Sequence, residues 1–342
     1  MIKVWTMVTR KRSKIKRFVS TLFVRVLRVV LLLAFVVLVL FLQIIFTRDK
    51  RAATLEVPEN AQSAPSTAPD SLRVLTYNIA HGRGPSFGAE NTDGGSHEEK
   101  EERMKQIGLE IQALGVDMVF LQEVDFNTWW SGNIDQAALI ANVAGFPYIA
   151  RQRTIDSGLP FFRRYDFGNV LLSRLPIREV AQFKMPPYSD VEVLFAGNHD
   201  GLLAKVQLSA SDEIIVLGLH LEGRSEDIRV EAAERIIAYQ RQHPLPIILL
   251  GDLNSTPPPM PDAETSRLGQ NAVELLESFG GFQRRPLRGQ ATHHHFTFPS
   301  EAPRRTIDWI MPDRNWRIQE YRVIHGMRQS DHLPVLSTLR RR

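Results

Sequence analysis

The sequence predicts an α/β fold, with mixed and largely antiparallel sheets covered by helices, behind one N-terminal transmembrane helix. Three observations predict it. Apolar runs of strand length recur between residues 72 and 339, several with no polar alternation, as in strands covered on both faces. Helical stretches fall in two batches, at about 97–144 and 224–279, with successive strands between them. Strands that follow one another without helices pair antiparallel. Residues 29–46 carry no charge, which is just enough for a bilayer crossing.

Residues 1–28 hold nine Lys/Arg and no acid. An apolar helix over 29–46 becomes comfortable as a span if it begins near Phe18, with Arg25 and Arg28 snorkelling. A cleaved signal peptide would have a shorter apolar region and a small-residue site after it. Arg48-Asp49-Lys50-Arg51 follows instead, so an uncleaved anchor is expected. The basic load before the span places the amino terminus in the cytoplasm and the rest outside the cell membrane. Residues 47–71, rich in Ala, Ser and Pro, read as an extended tether. The soluble domain is expected over 72–342.

Charge separates along the same line. Residues 1–51 hold 12 Lys/Arg and one acid, leaving 30 basic and 37 acidic residues, a net −7, in the remainder. A non-specific nucleic-acid binder shows the opposite balance. The chain has no cysteine, which excludes disulfides, thiolate metal sites and cysteine nucleophiles.

Within the soluble part, 72–78 alternates as a strand and ends in a glycine-rich turn, Ile79-Ala80-His81-Gly82-Arg83-Gly84. Ser96 can cap a helix over 97–114 whose Met104, Ile107, Ile111 and Leu114 share a face, and Gly115 can close it. A buried strand at 117–123 ends in Glu123. A shorter helix at 135–144 precedes Tyr148-Ile149-Ala150. Strands follow at 167–173, 178–184, 202–208 and 214–221. Residues 224–242 are helical, with Ile228, Ala232, Ile236 and Tyr239 at matching spacing. Residues 247–252 form a buried strand stopped by Ser255-Thr256-Pro257-Pro258-Pro259. A helix over 262–279 and strands at 306–311, 316–325 and 333–339 complete the pattern.

Five apolar strands finish in residues suited to phosphate or metal chemistry: Tyr77-Asn78, Gln122-Glu123, His220-Leu221, Gly251-Asp252-Leu253-Asn254 and Ile307-Asp308. A sixth group, Ser330-Asp331-His332, precedes the last strand. Each alone has a plain explanation, such as a solvated strand end or a satisfied core histidine. The series does not, because buried charge is costly unless it is paired or metal-bound. Asp252 and Asn254, two apart on extended chain, project to one side, and carboxyl ends of strands are where open α/β sheets place ligands.

The order Asn, Glu, His, Asp-x-Asn, Asp, Ser-Asp-His resembles the endonuclease/exonuclease/phosphatase superfamily, which includes deoxyribonucleases, sphingomyelinases and inositol polyphosphate 5-phosphatases. The resemblance covers residues 72–342. Gly251-Asp252-Leu253-Asn254 with Ser330-Asp331-His332-Leu333-Pro334 is a specific pair, and Leu121-Gln122-Glu123-Val124 strengthens it. It implies a four-layered α/β sandwich of two mixed sheets face to face with helices outside. It also implies roles. Glu123 is the principal metal carboxylate, with Asn78 and Asp331 at the metal. Asp252 orients or deprotonates water, and Asn254 hydrogen-bonds phosphoryl oxygens. Asp308 orients the catalytic His332, and His220 faces the phosphate from the other side. The cofactor implied is Mg²⁺, with Mn²⁺ as the alternative, since these are hard oxygen donors. One departure counts against an abasic-site nuclease. Asn78-Ile79-Ala80-His81-Gly82 lacks the extra metal carboxylate of Asn-x-Asp-Gly, and His81 and Arg83 stand there as candidate phosphate contacts.

Three further features have weaker readings. His293-His294-His295 cannot readily chelate one ion from an extended segment and suits a rim loop. Arg151, Arg153, Arg163 and Arg164 are either an anion-binding loop or a solvated one. Trp129-Trp130 suits a lipid surface, ring stacking or the core. The expected function is a membrane-anchored Mg²⁺-dependent phosphoesterase hydrolysing a phosphodiester, with a phospholipid as one candidate substrate. A nuclease of the same superfamily and an inactive anchored binding module are the alternatives; nucleic acid is the less favoured substrate.

Overall fold

The computed structural model describes residues 2–47, 53–58, 64–158, 164–191, 193 and 197–342, in two compact units. The first contains helix α1 (Ile2–Thr47). Its Val19–Leu42 segment is long and apolar enough to cross a membrane, about 36 Å at 1.5 Å per residue.

The second unit carries two sheets. The seven-stranded sheet has the order β1-β4-β5-β3-β2-β12-β11. Its strands are β1 (Ala53–Glu56), β2 (Ser71–Asn78), β3 (Met118–Asp125), β4 (Tyr148–Gly158), β5 (Arg164–Ser173), β11 (Trp316–Val323) and β12 (Val335–Arg341). The five-stranded sheet has the order β10-β9-β8-β7-β6, built from β6 (Ile177–Phe183), β7 (Gly201–Ser209), β8 (Asp212–His220), β9 (Ile247–Asp252) and β10 (Asp308–Pro312). Each sheet has one central parallel pair, β2 with β3 and β8 with β9.

Period-two alternation builds the layers. Val74, Phe120, Val216, Ile248 and Leu250 face inward and form the core between the sheets. Their neighbours Leu75, Val119 and Leu121 face outward onto α2 (His97–Leu114) and α3 (Gln136–Ala144). Leu217, Leu219 and Leu249 do the same onto α4 (Glu226–Gln242) and α5 (Ala272–Gly280). Both faces of the central strands are therefore dry, which explains their unbroken apolar runs. The result is the four-layered α/β sandwich. Gly218 lets the sheets close, since a Cβ there would lie 2.1 Å from the Phe120 ring.

The caps form as read. Ser96 and Glu99 make a capping box on α2, and Gly115 closes it in the left-handed conformation. Three readings are corrected. The sheet starts inside the segment read as a tether, because Ala53–Glu56 pairs antiparallel with β4 and Leu55 packs on the inter-sheet core. The helix read over 262–279 is only Ala272–Gly280. Asn271 caps it through Glu274 N–H, and Gly269, at φ +75°, turns the chain before it. Strand β3 runs past Glu123 to Asp125.

Candidate active site

Both parallel pairs end at the same edge of the sandwich. In register, Asn78 lies opposite Gln122, and His220 opposite Asp252. Asp308 opens β10 directly across from Asp252. Glu123 sits where the β3–β5 register shifts, between Leu121 and Val124, with φ +52°. That bulge turns its carboxylate out of the ladder. Gly251 lets β9 approach β8, since at φ +142° its Cβ would lie 1.8 Å from the Leu219 carbonyl oxygen.

These ends line a cleft of about 380 Å³ that includes Arg83, Glu123, His220, Asp252, Asn254 and His332. His332 is buried, and its Nδ1 lies 3.0 and 3.1 Å from the two Asp308 oxygens. Its Nε2 lies 3.7 Å from Asp252 Oδ2, and His220 Nε2 approaches the same oxygen at 3.8 Å. Burial alone would lower the His332 pKa, but Asp308 and Asp252 outweigh it and push it up to about 10. Burial, then the facing Asp308, raises Asp252 to about 7. Burial lowers His220, so it is neutral near pH 7. The site thus offers an imidazolium, a carboxylate poised near neutrality and a neutral imidazole.

The other wall is built around Glu123. Its Oε1 accepts from Asn78 Nδ2 at 3.1 Å and its Oε2 from Arg83 Nη1 at 3.3 Å. Burial favours the neutral acid, but His81, His220, Arg83 and His332 hold Glu123 well below the usual carboxylate range. Arg83 Nη2 also donates to Asp331 Oδ2 at 3.0 Å. Ser330 Oγ donates to the Asn78 carbonyl at 2.7 Å, pinning the Ser330-Asp331-His332 loop to the end of β2.

All ten site residues read from sequence gather at this edge, but Asn78, His81 and Arg83 face otherwise than expected; Arg83, read as a phosphate contact, spans Glu123 and Asp331. Asn78 was read as a metal ligand. Its amide nitrogen donates to Glu123 and to Asp252 Oδ2 (3.2 Å), and its oxygen accepts Ala80 N–H at 3.0 Å. It ties two carboxylates together and turns its oxygen to the backbone. His81 was read as a phosphate contact. It is 6% exposed, Nδ1 lies 2.7 Å from Asp125 Oδ1, and Nε2 lies 3.5 Å from Glu123 Oε2. Trp130 and Phe167 box its ring edge-on, so it supports Glu123 from behind. Asn254 spends one amide N–H on the Leu221 carbonyl (2.9 Å), leaving the second for the cleft.

Glu123 and Asp331 are hard oxygen donors suited to a divalent cation. Asp252, Asp308 and His332 also bring ligand atoms within 4.8 Å of one another. Both Asp308 oxygens, however, are turned to His332 Nδ1, so this trio reads as a histidine–carboxylate dyad facing a second acid. Asp125 went unread in the sequence; its only signal was its place two residues after Glu123, on the same face of β3. Phe298, against the His332 ring at 4.7 Å, was also missed.

The weaker features resolve into structure. His293–His295 is a 3-10 turn in which Thr292 N–H donates to His295 Nδ1. Arg151 pairs with Glu56 and Asp135, Arg153 with Asp166, and Arg164 with Asp156; Arg163 lies outside the described residues. Trp130 donates from Nε1 to Asp125 Oδ2 at 2.8 Å.

Solved structures share the fold. One is an endonuclease/exonuclease/phosphatase from Beutenbergia cavernae DSM 12333, 21% identical, covering 80% of this chain and 72% of that one, TM-score 0.56. Another is an endonuclease/exonuclease/phosphatase from Bacteroides vulgatus, 16% identical, covering 80% and 99%, TM-score 0.56. A third is the human Nocturnin catalytic domain with bound sulfate anion, 16% identical, covering 87% and 98%, TM-score 0.54. No curated protein sequence matches the chain. Residues 75–332 match the Endonuclease/Exonuclease/phosphatase family. They run from β2 to the histidine of the Asp308–His332 pair, and the chain belongs to that family.

Proposed function

We propose that the chain is a membrane-anchored, Mg²⁺-dependent phosphodiesterase working outside the cytoplasmic membrane, with a phospholipid as one candidate substrate. Members of the family are generally hydrolases acting on phosphoester bonds. The observation that carries the reading is the Asp308–His332 pair facing Asp252 across 3.7 Å, with Glu123 on the opposite wall.

Phosphoryl transfer asks for positioning and charge stabilisation more than covalent help. As the attacking water's oxygen bonds to phosphorus and the ester P–O bond breaks, Asp252 accepts the water's proton and the departing alkoxide takes a proton from solvent. The His332 Nε2–H faces a phosphoryl oxygen, held in orientation by Asp308. His220 and the spare Asn254 N–H close around the phosphate. Glu123 and Asp331 would hold Mg²⁺, whose charge stabilises the phosphoryl oxygens. The anchor rests on Val19–Leu42, and the orientation on the basic residues before it.

A substrate panel on the full-length chain in detergent with Mg²⁺ tests the activity. It compares a chromogenic diester, a chromogenic monoester, phospholipid vesicles and plasmid DNA. Mg²⁺-dependent cleavage of the diester above the monoester is expected; cleavage of none of the four with Mg²⁺ or Mn²⁺ overturns the reading. Protease added to intact cells should remove the catalytic domain, and protection until lysis would reverse the orientation.

A further inference from the structure

We infer that Arg83 stands in the place of a second metal ion, so that the site takes a single divalent cation. The inference rests on the reading of Glu123 and Asp331 as metal carboxylates. The two acids come from different segments, and one guanidinium spans them. Nη1 reaches Glu123 Oε2 at 3.3 Å and Nη2 reaches Asp331 Oδ2 at 3.0 Å. Asn91 Oδ1, at 3.1 Å from Nη1, holds the fork from the loop side.

The local chain is built to deliver it there. Ala80 and His81 both adopt left-handed φ values, 49° and 53°, and the turn is tied back by Gly82 N–H to the Ile79 carbonyl. The following loop presses on Arg83: a Cβ on Gly94 would lie 2.9 Å from Arg83 Cα. The side chain is only 16% exposed, so this is a placed group rather than a wandering surface arginine.

A guanidinium keeps its charge at any working pH, and its fork matches carboxylate oxygens. Two-metal phosphoesterase sites hold their ions about 3.5–4 Å apart between shared carboxylates. Here the space between Glu123 Oε2 and Asp331 Oδ2 is already filled by fixed positive charge. Each acid keeps one oxygen off the guanidinium; Glu123 Oε1 meets the Asn78 amide at 3.1 Å and looks across to His220 Nε2 at 3.9 Å. We assign those two remaining oxygens to one ion. Arg83 acts through the carboxylates as a positioning residue.

Counting Mn²⁺ bound to the full-length protein by electron paramagnetic resonance tests this without turnover. The wild type is expected to bind one ion per chain, and Arg83→Ala two, because the vacated space between the acids becomes a site. Two ions in the wild type, or one in both proteins, overturns the inference. If Arg83→Ala fails to give a native melting transition, Arg83→Gln serves with the same expected count. Glu123→Ala separates the two levels: it should bind no ion, and retention of one ion at wild-type affinity would sink the metal reading itself.

Discussion

Two histidines at this edge lean on buried aspartates, and they differ in what their second nitrogen reaches. His332 takes Asp308 on Nδ1 and points Nε2 at Asp252 across the cleft. His81 takes Asp125 on Nδ1 and points Nε2 at Glu123. Burial lowers both pKa values, and the facing carboxylates together outweigh it, Asp125 with Glu123 at His81 and Asp308 with Asp252 at His332, so both are raised. Their surroundings diverge. Trp130 and Phe167 wall in His81, while His332 lines the open cleft. Under the proposed function the same pair of residues would act on substrate in one place and steady a metal carboxylate in the other. Position relative to the cleft, not the dyad itself, assigns the chemistry.

The comparison can be broken most severely at Glu123, which the two dyads face from opposite walls. Glu123→Ala should abolish Mg²⁺-supported hydrolysis while circular dichroism stays near wild type; melting should fall, because the partners Asn78 and Arg83 lose their carboxylate. Full activity in chelator-treated buffer restored with Mg²⁺ would remove the metal wall from the account.

His81→Ala should behave differently from any change at His332. Groups behind a metal ligand tune affinity, typically by 10–100-fold. A Mg²⁺ titration should therefore show a half-saturation raised by that factor, with kcat recovering at high Mg²⁺. A loss of kcat that Mg²⁺ does not restore would place His81 on the substrate after all.

The pH profile sharpens the other side. Asp252 must be ionised and His332 protonated, so the rate should rise through about pH 7 and fall through about pH 10. Asp308→Ala, which takes the His332 contribution away, should lose this alkaline limb. Stability follows the same sign. A histidine raised in the folded state stabilises fully below its unfolded value near 6.5, and that contribution is lost as pH rises toward 10. The metal-free protein should melt lower at pH 10 than at pH 7, and His332→Gln should flatten that slope.

The smallest effect is expected at Trp130→Phe, which loses the Nε1 donor to Asp125 but keeps the ring wall. Trp130 reaches Glu123 only through Asp125 and then His81, so Mg²⁺ half-saturation should rise by less than for His81→Ala.

What sequence reading reached, and what it missed, divides by range. The central strands were legible because both their faces are dry, and α2 because Ser96 and Gly115 mark its ends. The substrate-side residues were legible because each ends an apolar run. β1 was hidden because its four residues lie in an Ala/Ser/Pro-rich stretch and pair with a strand almost a hundred positions away. The start of α5 was misplaced because the turn at Gly269 leaves no periodic mark. The second dyad was hidden because His81 and Asp125 are 44 positions apart, and nothing local distinguishes a histidine behind a carboxylate from one beside a phosphate. Asn78 was assigned by residue type, while its hydrogen bonds decide which end of the amide faces the acids.

The most direct test of the account is a double-mutant cycle on the substrate-side dyad, measured as kcat/KM on a chromogenic diester with saturating Mg²⁺. His332→Ala should cost about 2.7–4 kcal/mol of barrier, the range for losing one oxyanion donor. Residues acting as a unit are not additive, so Asp308→Ala and the double variant should fall to residual rates similar to that of His332→Ala. Independent, additive losses, or an Asp308→Ala enzyme at nearly wild-type rate, would contradict it.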